Sequence, residues 1–233
     1  MPTISYDSVE VVYESRTVLA PITVSISEHR VGVIGANGSG KSTFLRLING
    51  IGSPTAGTVS FDGLDVSRNG KEVRKHVGFV FSDAENQIIM PTVQEDISFS
   101  LKRFKLPKDE KTRRVNTLLT HFGLASHAED SPYPLSGGQK QLLALAAILV
   151  MQPSTILLDE PTTLLDLRNR LHIKKEIMAL DQQVIVATHD LDLLENFDRV
   201  IYIADGRICD DGAPATVLSH YVSDMTAAEN EGI

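Results

Sequence analysis

The spacing of apolar residues predicts that the chain begins with extended strands. Residues 9–13 and 22–26 alternate apolar and polar side chains with the period of a half-buried strand, and a polar turn separates them. We therefore expect an antiparallel sheet that leads into the apolar strand 31–34. The same criteria predict strands at 57–63 and 77–81.

The middle of the chain has a helical pattern. Apolar residues recur three and four positions apart within 93–104 and 108–122, and 142–150 is apolar on almost every side. After it, the α/β alternation returns, with strands expected at 155–158, 184–187, 199–204 and 206–209 and helices at 167–180 and 190–197. The pattern indicates a helical lobe over 83–152 inserted into an α/β core of 1–82 and 153–221, with a tail over 222–233 that is frayed after Ser219.

Composition narrows the class of protein. The 233 residues are 42% hydrophobic with a net charge of −8, which favours a globular protein without nucleic acid as its main partner. The basic residues within 102–114 are interrupted by acids and are expected to form a solvated face. Cys209 is the only cysteine, which indicates a reducing compartment. We expect no signal peptide, and the longest apolar run is too short to cross a bilayer.

A phosphate-binding loop follows the strand 31–34. Its glycines let backbone N–H groups point at phosphate oxygens, and the helix predicted at 44–51 adds its positive dipole. A Gly/Ser turn between strand and helix is the simpler alternative. In the phosphate-loop reading, Lys41 reaches the β- and γ-phosphates and Ser42 offers a hydroxyl to Mg²⁺. The G-x-x-x-x-G-K-S pattern and the next residue comprise Gly35, Ala36, Asn37, Gly38, Ser39, Gly40, Lys41, Ser42 and Thr43.

Two carboxylates end the apolar strand predicted at 155–158. Asp159 and Glu160 lie at the carboxyl end of this strand, where ligands of α/β sheets gather. Asp159 is placed to hold Mg²⁺ or its water shell, and Glu160 is available to orient or deprotonate an attacking water. The alternative is a pair of acids that only stabilises the start of a helix.

Residues 135–139, Leu-Ser-Gly-Gly-Gln, complete a set of motifs that resembles the ATP-binding-cassette (ABC) ATPases. By this resemblance, 35–42 is Walker A, 156–160 is Walker B and 163–166 is the D-loop. The resemblance also makes Tyr13 the aromatic that stacks on adenine and His189 the switch histidine. It implies an α/β P-loop NTPase (RecA-like) core with an antiparallel β subdomain and an inserted helical subdomain, which is the ABC ATPase fold.

The resemblance implies a mechanism in which two copies pack head to tail around ATP and Mg²⁺. The partner is a second copy or, in a heterodimer, a second ATPase. Catalysis is assigned to Lys41, Glu160 and His189. The signature residues that would contact the nucleotide of the partner copy are Ser136, Gly137, Gly138 and Gln139.

Two short sequence segments indicate which kind of ABC protein this chain resembles. The segment 86–97 and residues 159–170 resemble energy-coupling-factor importers, and most of all the ATPase subunit of biotin transporters. This implies a transmembrane coupling subunit, a substrate-binding membrane subunit and a place on the cytoplasmic face of the membrane. The alternatives are an ATPase of a cobalt/nickel or other vitamin importer, a soluble ABC ATPase, and a regulatory nucleotide binder without turnover.

Three positions depart from the family pattern. Ser82 stands where a glutamine normally contacts Mg²⁺, so we expect a weaker or water-mediated metal contact there, or a substitute in Gln87. Leu164 occupies a D-loop position where a small residue is common, and Leu142 replaces a frequent arginine after the signature. The fit of the D-loop across a dimer interface is therefore an open point of the sequence.

Overall fold

The computed structural model describes residues 1–163 and 165–230, with side chains through residue 227. Leu164, one of the predicted D-loop residues, and the last three residues of the predicted tail lie outside this description. No helix in the described part of the chain combines the length and apolarity needed to cross a membrane.

The chain folds into two sheets with helices around them. The strands are β1 (Ile4–Tyr13), β2 (Arg16–Ile26), β3 (Arg30–Ile34), β4 (Ala56–Phe61), β5 (Leu64–Asp65), β6 (Val77–Val80), β7 (Thr155–Asp159), β8 (Gln183–Ala187), β9 (Arg199–Ala204) and β10 (Arg207–Gly212). The α-helices are α1 (Lys41–Ile48), α2 (Val66–His76), α3 (Val93–Phe99), α4 (Lys108–His121), α5 (Gly137–Leu149), α6 (Leu167–Met178), α7 (Leu191–Leu194) and α8 (Pro214–Asn230).

The smaller sheet is antiparallel and has the strand order β2-β1-β4-β5. The larger sheet has the order β10-β9-β3-β8-β7-β6, in which β9, β3, β8, β7 and β6 are parallel and β10 closes the edge antiparallel to β9. Parallel strands are buried on both faces, and β6, β7 and β8 are buried at every position. The predicted α/β class with an antiparallel sheet is confirmed.

Helices α3, α4 and α5 lie between β6 and β7 along the chain. Their apolar faces meet in one cluster in which α5 is buried along most of its length, as its nearly continuous apolar sequence predicts. Helix α5 also reaches β6, where a methyl group added to Gly78 would lie 2.2 Å from Ile148 Cγ2. The helical segment and the large sheet therefore share a core.

Two helices were missed from the sequence pattern. Helix α2 is mostly polar and buries only Val66 and Val73, but Asp65 caps its start by accepting hydrogen bonds from two backbone N–H groups. The expectation of a frayed tail after Ser219 is wrong, because α8 continues to Asn230. Its Tyr221 packs edge-on against Tyr202 of β9 with ring centroids 5.2 Å apart.

Candidate functional site

The larger sheet brings the phosphate loop, Glu160 and His189 together at one edge, which is formed by the carboxyl ends of its parallel strands. Strands β3, β8 and β7 are adjacent and parallel, so their carboxyl ends point the same way. The phosphate loop follows β3, Glu160 follows β7 and His189 follows β8. Residues separated by more than a hundred positions along the chain thus meet at the usual ligand edge of an α/β sheet.

The backbone of the phosphate loop depends on glycine. Gly35 has a φ of 152°, and a methyl group there would lie 2.0 Å from the carbonyl oxygen of Ile203. Gly40 has a φ of 109° and immediately precedes α1. Larger residues would be strained at both positions, so the sequence curls tightly before the helix. The N–H groups of the first helical turn have no partner inside the helix and face the loop.

Lys41 is folded into this loop. Its side chain is 6% exposed, and its Nζ donates hydrogen bonds to the carbonyl oxygens of Gly35 at 2.8 Å and Ala36 at 3.1 Å. The same Nζ lies 4.0 Å from Oε1 of Glu160. Burial lowers the pKa of the Lys41 ammonium below its usual value, although the nearby carboxylates oppose this shift. The loop therefore holds a desolvated cation suited to anionic oxygens.

Ser42 and Asp159 form a second contact across the same edge. The Ser42 hydroxyl donates to Oδ1 of Asp159 at 2.8 Å. Asp159 is 2% exposed, and burial raises the pKa of its carboxyl above the usual value. Its nearest described cation is Arg46, whose Nη2 lies 3.8 Å from Oδ2. A hydroxyl and an undercompensated buried carboxylate are oxygen donors of the kind that Mg²⁺ prefers, so these residues fit the metal.

The side chains of Glu160 and His189 contact each other beside Lys41. His189 Nδ1 lies 2.8 Å from Glu160 Oε2. Thr163 Oγ1 and the backbone N–H of His189 donate to the same oxygen, both at 3.4 Å. Glu160 has a φ of 52°, which is uncommon for a residue other than glycine and is held by a hydrogen bond from its N–H to the Ala187 carbonyl. The carboxylate is thus oriented by two loops.

Lys41, Ser42 and Glu160 line an open cleft of about 320 Å³. Arg16 and Val18, which were not among the predicted site residues, lie on β2 at one side of the cleft. Tyr13 is 53% exposed and pairs with Arg16 across β1 and β2, so it lies beside the cleft and not in its lining. Arg16 lies within the polar turn predicted between the strands 9–13 and 22–26, and its charge was the signal that the sequence offered. The lining residues are Arg16, Val18, Asn37, Gly38, Gly40, Lys41, Ser42, Thr43 and Glu160.

The signature residues are absent from this described lining. Ser136 caps α5: its hydroxyl accepts from the N–H of Gln139 at 3.3 Å, and the Gln139 side chain accepts from the Ser136 N–H at 2.9 Å. Gly138 faces α6, where an added methyl group would lie 2.4 Å from Asn169. Gly137 has open surroundings, with its nearest neighbour, Leu165, at 3.8 Å from such a methyl group.

The structure also shows the surroundings of Ser82, which stands where the family pattern has a glutamine. Ser82 is exposed just beyond β6, whose carboxyl end lies next to that of β7. The Gln87 side-chain amide accepts a hydrogen bond from the Phe81 N–H at 3.1 Å and donates to the Phe79 carbonyl at 3.3 Å. Both ends of this amide are therefore engaged by β6 and the residue just after it, and the expectation that Gln87 replaces the missing glutamine is not supported.

The D-loop ends in a helix cap, and the residue just before it contacts a distant loop. Asp166 caps α6 by accepting from the N–H of Asn169 at 2.8 Å. Thr162 Oγ1 donates to Asp190 Oδ2 at 3.2 Å, which joins this loop to the loop that carries His189. The contact between Thr162 and Asp190 was not expected from the sequence, since it depends on the approach of β7 and β8.

Sequence comparisons agree with this geometry. A putative ABC transporter ATP-binding protein of Bartonella quintana is 47% identical over 226 residues, which cover 97% of this chain and all of that protein. The biotin transport ATP-binding protein BioM of Rhizobium etli is 43% identical over 218 residues, which cover 94% of this chain and 97% of BioM.

Solved structures share the fold. CbiO1 of Clostridium perfringens, described as part of the ABC transporter complex CbiONQ, has a TM-score of 0.83 at 33% identity and covers 94% of this chain and 92% of its own. The ATP-binding cassette MJ0796, solved as a dimer in a post-hydrolysis state with ADP and Pi, has a TM-score of 0.80 at 29% identity and covers 91% and 98%. The ABC transporter family model matches residues 19–163, and the chain belongs to the ATP-binding ATPases of the ABC transporter family.

Proposed function

We propose that this chain is the ATP-hydrolysing motor of an energy-coupling-factor importer for a vitamin, with biotin as the best candidate. The observation that carries the motor role is the meeting of Lys41, Asp159, Glu160 and His189 at one sheet edge. The similarity to BioM of Rhizobium etli supports biotin. In this proposal the chain acts at the cytoplasmic face of the membrane through a transmembrane coupling subunit and a substrate-binding membrane subunit.

Each residue of the edge has a role in this proposal. The phosphate-loop N–H groups and Lys41 bind the β- and γ-phosphates. Ser42 and Asp159 would hold Mg²⁺, which would supply charge neutralisation on the phosphate oxygens. Glu160 orients and deprotonates the attacking water, and His189 holds the Glu160 carboxylate in place through the 2.8 Å contact. Tyr13 stacks on the adenine ring.

Dimerisation completes the pocket in this proposal. The cleft contains no signature residue in the described part of the chain, and Gly137 lies in open surroundings at the start of α5. A second copy would bring Ser136 and the backbone N–H groups of Gly137 and Gly138 against the γ-phosphate. The dimeric, ADP- and Pi-bound structure of MJ0796 supports this arrangement.

The helical segment offers a groove for the membrane partner. We divide the chain into an α/β core (1–82 and 153–221) and a helical lobe (83–152), and the groove lies on that lobe. It has a volume of about 230 Å³, and its rim includes Ile89 and Tyr133, which are 62% and 81% exposed. Exposed apolar groups at a concave site favour an apolar protein partner such as a short helix.

The decisive test reconstitutes transport. The chain is expressed with the membrane genes beside it, purified from detergent and placed in vesicles that contain ATP. We expect biotin uptake that requires ATP and is lost in Glu160→Gln, which should retain ATP binding. Purification without any polytopic partner would contradict the transporter role, and uptake of another vitamin or of cobalt would contradict biotin alone.

A control separates binding from hydrolysis. Lys41→Ala should lose nucleotide affinity, because it removes the buried cation of the loop, whereas Glu160→Gln should lose turnover by about 100-fold or more with little change in affinity. ATP should drive Glu160→Gln into a stable dimer on size-exclusion chromatography. A monomer at saturating ATP would refute the head-to-tail arrangement.

A further inference from the structure

Arg170 of α6 grips the loop that carries His189. Its guanidinium contacts both oxygens of Asp190, with Nε 2.9 Å from Oδ2 and Nη2 3.1 Å from Oδ1. The same Nη2 lies 3.2 Å from Oδ2 of Asp192. A two-pronged contact of this kind fixes orientation as well as distance, because the planar guanidinium matches the carboxylate.

Asp190 is the residue directly after His189. Its side chain is 8% exposed, and its Oδ2 also accepts the hydrogen bond from Thr162. The Asp190 N–H donates to Thr188 Oγ1 at 3.0 Å, so both sides of His189 are tied down. The carboxylate that Arg170 holds is therefore one peptide unit away from the imidazole that contacts Glu160.

Helix α6 is itself anchored to the D-loop. Asp166 caps its first turn, and Asn169 donates from its side chain to the same aspartate at 3.1 Å. Arg170 lies one turn after Asp166, so its position is set by the segment that follows Glu160. The helix connects the loop after β7 to the loop after β8, which are the two loops that contribute the Glu160–His189 pair.

We propose that Arg170 is a positioning residue for hydrolysis, which holds the His189 ring against Glu160 through the two-pronged contact with Asp190. The inference rests on the roles proposed above for Glu160 and His189. Arg170 is 38% exposed, so solvent screens the ion pair and its effect on global stability is small. Its effect should fall on turnover, because small displacements of a catalytic group reduce rates strongly.

The test compares Arg170→Ala and Arg170→Lys with Arg168→Ala, a matched control on the exposed surface of the same helix. Steady-state hydrolysis gives kcat and the KM for ATP, and thermal unfolding checks the fold. We expect Arg170→Ala to lower kcat about 10-fold or more with KM within about threefold of the parent, because nucleotide binding is untouched. Lysine should restore only part of the loss, since an ammonium lacks the second prong.

A second arm places the effect on the pathway through Asp190. Asp190→Asn should lower kcat as Arg170→Ala does. The double variant should be no slower than either single variant, because the two substitutions remove the same contact between Arg170 and Asp190. In a His189→Ala background, single-turnover hydrolysis resolves the slow rate, and Arg170→Ala should change it by less than about twofold.

The inference would be overturned by an equal loss in Arg168→Ala, by a rise in KM with kcat unchanged, or by additive losses when Arg170→Ala is combined with His189→Ala. A parental rate in His189→Ala would overturn the catalytic assignment of His189 together with this role. A slow His189→Ala beside a parental Arg170→Ala would overturn the positioning role alone.

Discussion

The two glycines at the start of α5 should respond differently to a methyl group. In Gly138→Ala, the new Cβ would lie 2.4 Å from Cγ and Oδ1 of Asn169. Asn169 has little freedom to retreat, because both its backbone and its side chain donate to Asp166. The substitution must therefore disturb the cap of α6 or separate α5 from α6.

The size of the effect follows from two opposing contributions. Overpacking of this kind costs about 1–3 kcal/mol, and the better helix propensity of alanine returns about 0.5–1 kcal/mol. We expect Gly138→Ala to lose about 1–2 kcal/mol in free energy of unfolding, which corresponds to a drop in Tm of about 2–8 °C for a chain of this size. Thermal unfolding of the nucleotide-free protein, followed by circular dichroism, measures it.

Gly137→Ala is the matched control, because the nearest atom to its new Cβ is Leu165 Cδ2 at an ordinary 3.8 Å. Its Tm should equal or exceed that of the parent. If Gly137 faces the nucleotide of a partner copy, however, the methyl group should lower turnover by about 10-fold or more. Equal Tm values for Gly138→Ala and Gly137→Ala would refute the packing argument. Full turnover in Gly137→Ala would refute the placement of Gly137 against the ATP of the partner copy.

Three further predictions concern groups that the fold buries or presents. Asp96 is 4% exposed, and its carboxylate accepts hydrogen bonds from the backbone N–H groups of Ile89 and Met90 at 2.9 and 3.0 Å. Asp96→Ala should therefore lose about 2–4 kcal/mol in free energy of unfolding, measured in urea, whereas Glu95→Ala, at an exposed position, should lose under about 1 kcal/mol. Burial raises the pKa of Asp159, so the native state binds its proton more tightly than the unfolded chain does, and this stability is lost as pH rises through the raised value. Asp159→Asn should therefore melt above the nucleotide-free parent at pH 7, with a difference that shrinks toward pH 4; a constant difference would contradict the assignment. Tyr13→Ala should weaken ATP binding more than Tyr13→Phe does, as measured in a binding titration. Equal affinities of the two variants for ATP would refute stacking of Tyr13 on adenine.

Much of the site could be predicted because its chemistry is local in sequence. The phosphate loop lies within eight consecutive residues, Gly35 to Ser42, and the strand before it is a continuous apolar run. Asp159 and Glu160 end a buried strand, which places them at the ligand edge of any parallel sheet. The strand order then brings His189 to them, since β8 lies between β3 and β7.

The remaining features depend on contacts between distant segments. The polar helix α2 has a weak pattern and is defined by the Asp65 cap and by two buried valines. Helix α8 is stabilised by packing of Tyr221 on β9, which no local pattern reveals. The hydrogen bonds of Gln87 to Phe79 and Phe81 and the contact of Arg170 with Asp190 also depend on tertiary approach, so no local pattern indicates those partners.

The energetics of the cleft explain why these features occur together. Lys41 and Asp159 are both desolvated, which shifts their pKa values toward the neutral forms, and Glu160 adopts a φ that few residues tolerate. Each of these would be a defect in a protein without a ligand. In the proposed function, a triphosphate would bring negative charge to Lys41 and a bound Mg²⁺ would bring positive charge to Asp159, so one ligand would compensate both burials at once. Nucleotide binding is therefore coupled to the stability of this edge of the sheet.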